Sequence, residues 1–471
     1  MVSKLVSLFC LASAALVSTA QAQSQSQTSP SCDSVCQAQF RGAVTGEDAN
    51  YVNLDITTDS FYQTPANISS YAVGDLVKSQ DLDRATISRL WTLPAGMSMS
   101  RIYYVTEDID GKPLPATAFA LIPYSNPLGP DKPFRTIAWA HGTAGGNRQC
   151  APSNQKAFEF DWEGPLALAQ RGFVVIAPDY AGMGAEAPMG FMYEAGALHA
   201  HDVVHAIQAA RQTSSLGPLM SKEWVVIGHS EGGLTAWRTA ERQGMPDKAV
   251  DGLIGAVAAA PATRPLSLIP ESFRRANGKP VGDAPSVIFL QSLGRLFPDQ
   301  IKPANYFGQV ALDRLALAKG RCLISDLALF STLTADELYK DKSWLTHPTV
   351  VDWQNRYNGA SGPKKLGTPL LVIQGEADEL TYKEVAEKDF DDQCAALPDS
   401  AAEWSLYPGM GHDASMQAGQ AEIVAWVNDR FDGKPTAGKC VKRTQKTATQ
   451  RYSQVNPVWA ALSARGPLPP P

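Results

Sequence analysis

The chain has 471 residues, 44% of them hydrophobic and 19% charged, which excludes a disordered protein and leaves ample length for a large core. A formal net charge of -6 provides no basic stripe to neutralise phosphates, so nucleic acid is excluded as the main partner. The single basic cluster, "GKCVKRTQK", reads as part of a solvated tail.

The start, "MVSKLVSLFCLASAALVSTAQAQ", places Lys4 before an apolar run from Leu5 to Val17 and then Ala20-Gln21-Ala22. This predicts a signal peptide over 1–22, cleaved after Ala22, and a secreted product, extracellular or periplasmic. No later segment offers about 18 uninterrupted apolar residues, so no membrane span is expected. Removing Cys10 with the signal leaves Cys32, Cys36, Cys150, Cys322, Cys394 and Cys440, an even set that suggests three disulfides in an oxidising compartment. Spacing alone allows fifteen pairings. Asn67 heads the only N-x-S/T sequon and is the candidate glycosylation site in a eukaryotic secretory pathway.

Residues 23–60 are polar and low in complexity and read as a leader, pinned by a small Cys32/Cys36 loop, with structure beginning near Phe61. "ATISRLWTLP", "SRIYYVTEDIDGKPLPATAFALIPYS" and "FRTIAWAHGT" alternate branched and aromatic residues between turn signals and are expected as strands, with Asp110-Gly111 turning a hairpin. From Phe134 buried strands ("TIAWA", "FVVIAPDY", "WVVIG", "GLIGAVAAAP") alternate with helical segments, among them "NQKAFEFDWEGPLALAQRG" and "ALHAHDVVHAIQAARQ". That rhythm describes an α/β fold, a mostly parallel doubly wound sheet covered on both faces. The first part of this core spans 61–262. A mostly helical, proline-interrupted block over 263–365 reads as an inserted cap, and "TPLLVIQG" and "AEWSLYPGMGH" restore the core over 366–435, leaving 436–471 as a C-terminal tail.

Gly228-His229-Ser230-Glu231-Gly232 satisfies G-x-S-x-G between a strand and a helix. Its glycines permit the sharp turn that lifts a serine hydroxyl above a sheet, and the following helix N-terminus favours developing negative charge. A serine needs a base oriented by a carboxylate, and in this architecture both follow it in the chain. Only His347 and His412 do. His412, just past the last strand in "YPGMGHD", is the candidate base, and His347 in the cap is a packing or surface residue. Asp378 in "GEADE" is the candidate acid with Glu376 as its rival; Glu379 and Asp413 read as solvated or structural. The oxyanion donors are the N–H of Glu231 and, from the loop after "TIAWA", that of Thr143, with Gly142 as runner-up.

Other polar residues receive plainer readings. His141 braces its loop and Asp179 is a strand-end turn residue. His201 and His205 stand at a metal-binding spacing, but no third ligand completes a site, so no metal is expected.

The motifs "GDLVKSQDL", "SRIYYVTEDIDGKP", "AWAHGTAGGNRQCAPS", "RGFVVIAPDYAGMG", "GHSEGG" and "IQGEADE" resemble the secretory lipase family, the lipase A-like branch of the α/β-hydrolases, from about Ala72 to Phe431. The resemblance implies a cofactor-free Ser/Asp/His esterase with a helical cap over its acyl pocket. It also implies that Cys150 pairs with Cys322 and Cys394 with Cys440. His141-Gly142-Thr143 departs from the acidic oxyanion loop of the yeast-type lipases, which makes a general carboxylesterase plausible beside a lipase. The expected partner is a small-molecule or lipid ester, with transient lipid-interface contact through the cap and no obligate protein partner. One triad serves esters, lactones and amides alike, so lactonase and amidase or peptidase activities are alternatives, and a non-catalytic binding protein is a more distant one.

Overall fold

The computed structural model describes residues 31–158 and 164–452; the signal segment expected at 1–22 lies outside the described residues. Within the segment expected as a leader, the described residues are instead structured: α1 runs Ser34–Asn50. Asp33 caps it by accepting the Cys36 N–H at 2.9 Å, and a Cys32–Cys36 disulfide closes the first turn. Its buried face is Cys36, Ala43 and Glu47, small or polar residues that carry no hydrophobic periodicity.

The strands β1 (Leu76–Asp81), β2 (Met97–Glu107) and β3 (Pro113–Pro123) form an antiparallel ribbon. The β2–β3 turn is built by Asp108, whose Oδ1 accepts the N–H groups of Asp110 and Lys112 at 2.9 and 2.8 Å, and by Gly111 at φ 84°. Between β1 and β2, "ATISRLWTLP" does not form the expected strand. Asp83 accepts the N–H groups of Ala85 and Thr86 and starts helix α2, Arg84–Leu90, so a cap outweighs the branched residues.

The chain continues through β4 (Phe134–Ala140), α3 (Pro165–Ala169), β5 (Val174–Pro178), α4 (Gly196–Arg211), β6 (Met220–His229), α5 (Glu231–Gln243) and β7 (Leu253–Ala259). The helix expected from Asn154 is, among the described residues, only the short α3, since Pro152–Asn154 is a 3-10 turn. After β7 come α6 (Pro265–Ala276), α7 (Pro285–Leu296), α8 (Gln309–Leu317), α9 (Leu323–Phe330), α10 (Ala335–Leu338) and α11 (Pro348–Trp353). The core resumes with β8 (Leu370–Gly375), α12 (Lys383–Ala396), β9 (Ala402–Tyr407), α13 (His412–Phe431) and β10 (Val441–Thr444).

The ten strands of the described residues form one sheet in the order β1-β2-β3-β5-β4-β6-β7-β8-β9-β10, parallel from β5 to β10. Side chains alternate between its faces as the pleat requires. In β6, Trp224 and Val226 enter one hydrophobic cluster and Val225 and Ile227 the other. Helices α4 and α5 cover the first face; α3 and α13 cover the second. Chain order reverses around β4, which lies between β5 and β6, and the loops leaving the carboxyl ends of β4 and β6 diverge there.

The tail is a further correction. "GKCVKRTQK" supplies β10, which pairs parallel with β9, and Arg443 reaches the buried Glu403 at 2.7 Å and also Glu422. Carboxylates on α12, β9 and α13 make this basic stretch an edge strand rather than a solvated segment. Among the described residues no helix is long and apolar enough to cross a membrane.

Candidate active site

Ser230 stands between β6 and α5 with φ 61° and ψ -119°. A left-handed serine backbone costs about 1–3 kcal/mol, so it persists only where neighbours hold it. They do: its N–H donates to the Ala259 carbonyl at 3.0 Å and its own carbonyl accepts from Leu234 and Ala262. The glycines of the motif are required by contact. A Cβ on Gly228 would strike the Gly232 carbonyl, and one on Gly232 would strike the Ala140 carbonyl of β4. Register pairs Ala140 with Gly228, so the loop 141–145 leaves the sheet beside Ser230.

His412 is the first residue of α13 and Asp378 lies in the loop after β8. His412 Nδ1 lies 3.1 Å from both Asp378 oxygens, and the pair is buried. Asp378 also accepts from the Leu380 and Thr381 N–H groups, the Thr381 hydroxyl and Gln374 Nε2, all within 3.0 Å. Burial pulls the imidazole down, but the Asp378 carboxylate more than offsets this and raises His412 to about 10. Burial likewise pushes Asp378 up, and His412 together with these donors holds it below the usual carboxylate range. With Nδ1 committed to Asp378, Nε2 is the nitrogen left for a proton from elsewhere.

The loop after β4 is braced from below. His141 Nδ1 donates to the Gly142 carbonyl at 2.6 Å, and its ring stacks on Tyr180 at 4.1 Å. Tyr180 stacks in turn on His199 at 4.2 Å, and burial pulls both imidazoles down, to about 4 and about 3. They are neutral spacers, and neither is a base for Ser230. Above the loop, Thr143 Oγ1 meets the Tyr193 hydroxyl at 2.6 Å. The Cys150–Cys322 disulfide, a Gly145–Cys322 bridge and a bond from Leu323 N–H to the Ala144 carbonyl tie the loop to α9. Cys394 and Cys440 form the third disulfide.

Gly142, Thr143, Ser230 and His412 line one cavity, roofed by Leu268, Ile269, Phe289, Leu323 and Leu327 from α6, α7 and α9. Glu231 opens α5, so its N–H is among the helix's free N-terminal donors. Other candidates fall elsewhere. Glu376 is exposed and accepts the Gly409 N–H, and His347 caps α11 by accepting the Thr349 N–H at 3.2 Å. Asp179 is buried and bonded to Thr117 and Ser153. His201 and His205 bond to Glu107 and Thr106, pinning α4 to β2. Asn67 is exposed beside a 3-10 turn. His229, His412 and Asp413 bring three donor atoms within 4.8 Å, but His412 is already engaged by Asp378.

Four residues near the site are not evident in the sequence reading. Thr381 and Gln374 hold the acid, His229 donates to the His412 carbonyl at 3.3 Å, and Glu194 lines the cavity. Only His229 carried a signal, as the variable position of the serine motif.

Comparison with known proteins adds a family to this geometry. A family model described as secretory lipase matches residues 165–439. The chain is 24% identical over 421 residues to Lipase 10 of Candida albicans, covering 84% of this chain and 86% of that one. It is 23% identical over 419 residues to a Mycobacterium tuberculosis protein named "Probable inactive lipase", covering 83% and 85%. The X-ray structure of Candida antarctica lipase A is similar with a TM-score of 0.67 at 17% identity, over 88% of this chain and 94% of that one, a likeness that shows the α/β-hydrolase fold. With more than half of its length matched by the family model, the chain belongs to the secretory lipase family of carboxylic ester hydrolases.

Proposed function

We propose that the protein is a secreted serine esterase that cleaves hydrophobic carboxylic esters through an acyl-enzyme. Ser230 Oγ attacks the ester carbonyl carbon while His412 Nε2 takes its proton, and Asp378 orients and stabilises the imidazolium. The N–H groups of Thr143 and Glu231 hold the oxyanion; Gly142 shapes the same loop. Collapse breaks the ester C–O bond, and His412 returns the proton to the leaving alcohol. Water, activated by His412, then attacks the acyl-enzyme and releases the acid. The observation that carries this reading is the buried Asp378–His412 contact at 3.1 Å, with His412 on the wall of the cavity that also holds the strained Ser230.

Ser230→Ala is expected to lower kcat on short nitrophenyl esters by about a million-fold and to abolish fluorophosphonate labelling. Undiminished turnover in that variant refutes the assignment. The relative named as inactive makes labelling of the wild-type chain the direct test between an esterase and a non-catalytic scaffold. The leucine-rich roof favours hydrophobic esters, and a panel of esters, lactones and amides separates esterase from lactonase and amidase. Export with cleavage after Ala22 is consistent with the three disulfides, and N-terminal sequencing of the mature chain tests it.

A further inference from the structure

The cavity wall contains a carboxyl group that the acyl-enzyme mechanism does not use. Glu194 is 7% exposed and lines the cavity with Ser230 and His412; its carboxyl neighbours the Tyr193 hydroxyl, and its Oε2 is buried with no partner in hydrogen-bond geometry. Its backbone is left-handed, at φ 60°, a conformation that side chains other than glycine rarely adopt. Two bonds hold it there. Its N–H donates to Glu231 Oε1 at 2.7 Å, from the residue that follows the nucleophile, and its carbonyl accepts from Asn358 Nδ2 at 3.0 Å. A strained, doubly held residue with an unpaired oxygen beside a nucleophile needs an account.

Charge provides part of it. Burial raises the Glu194 carboxyl to about 8, so at neutral pH it is largely an uncharged group with one O–H donor and a carbonyl acceptor. A second buried carboxyl on the same wall, Asp283, accepts the Ser286 N–H at 3.0 Å and is also raised by burial. The roof around them is aliphatic and aromatic. A plain alkyl chain filling this space leaves Oε2 unsatisfied, whereas a hydroxyl brought in by the substrate satisfies it. Sites arranged to bond a substrate hydroxyl discriminate strongly against the analogue that lacks it.

We propose that Glu194 is a specificity-determining residue that hydrogen-bonds a hydroxyl group of the substrate, so that hydroxylated esters are preferred over alkyl esters of equal length. This rests on the Ser230 reading given above. The test compares kcat/KM for p-nitrophenyl 3-hydroxybutyrate against p-nitrophenyl butyrate, and for 2-hydroxyethyl butyrate against ethyl butyrate. The two pairs place the hydroxyl in the acyl and in the alcohol part respectively. The wild-type chain is expected to prefer the hydroxylated member of one pair by about tenfold or more. Glu194→Met is expected to bring that ratio close to one, the hydroxylated member losing more than the plain ester, and Glu194→Gln to retain most of the preference.

A wild-type ratio near one in both pairs overturns the proposal and assigns Oε2 to a resident water. So does a Glu194→Met variant that lowers both members of a pair equally, since that marks a structural role. Fluorophosphonate labelling of each variant reports whether the nucleophile is intact, so failure of the Ser230 reading shows as absent wild-type labelling, separately from any ratio. If Glu194→Met does not fold, the wild-type and Glu194→Gln ratios still decide.

Discussion

Asp378 accepts from the Leu380 and Thr381 N–H groups, the Thr381 hydroxyl and Gln374, and this network determines how the proposed base behaves. A carboxylate held this firmly stays ionised in a buried site and keeps its charge against His412 Nδ1. Asp413 and Glu379 add to the effect of Asp378, with Glu194 facing the same imidazole. A base works only when unprotonated, and the imidazole is raised, so activity is lost as pH falls through that raised value. The ascending limb of kcat/KM against pH is therefore expected on the alkaline side of the ordinary imidazole range, near 6.5. Asp378→Asn is expected to move that limb toward lower pH and to reduce kcat by about ten-thousand-fold. A limb that stays in place in the variant would show that Asp378 does not govern His412. Thr381→Val, which removes one donor to the acid, is expected to cost a smaller factor, read in kcat with KM little changed.

At the scale of elements, the most consequential packing is α1 against α9. Glu47 of α1 accepts the N–H groups of Ser325 and Cys322, at 2.8 and 3.3 Å, so one helix caps the N-terminus of another. Asp48 pairs with Arg321 alongside. The helix so capped carries Leu323 and Leu327 into the cavity and is bonded through Cys322 to the loop of Thr143. Removing the Cys150–Cys322 bond by paired Cys→Ala changes frees a loop of 172 residues and is expected to cost about 2–5 kcal/mol, measured by denaturant unfolding under oxidising conditions. The same variant is expected to lose kcat as the loop carrying Thr143, the proposed oxyanion donor, slackens. Unchanged kcat with lowered stability would separate the disulfide from the chemistry.

These elements also show where the sequence is readable. Ser230, Asp378 and His412 lie next to strand ends whose apolar runs are legible, and it is position after a strand, not chain order, that separates His412 from His347. The helix α1 is silent because its buried face is Cys36, Ala43 and Glu47, and α2 is misread because Asp83 acts through a cap rather than through periodicity. Glu194 has no motif at all. Its importance comes from a positive φ and from neighbours at positions 231 and 358, contacts that only the folded chain creates.

At the scale of the molecule, the roof over Ser230 is a fastened structure: α9 is fixed to the loop after β4 by a disulfide and to α1 by Glu47. The rate is therefore expected to rise hyperbolically with ester concentration and to pass through the solubility limit without a jump. A sharp rise on emulsion formation would mean that other cap helices open at an interface. The opposite end of the sheet is fastened too. Deleting 439–471 removes β10 and Cys440, leaves the buried Glu403 without Arg443, and is expected to cost about 2–4 kcal/mol from the disulfide alone, measured as a fall in Tm.

β10 has a further consequence, for how copies of the protein meet one another. Both margins of the ten-stranded sheet end in polar strands, "LVKSQD" on one side and the four-residue "VKRT" on the other. An unpaired strand margin is a template on which another chain can add, and brevity with cationic side chains is how such templates are blunted. Without the last strand the margin would be β9, whose six residues begin buried and end half-buried. β10 is therefore expected to shield β9 from other copies of the chain, and concentrated solutions of the shortened chain are expected to scatter light where the full chain stays clear.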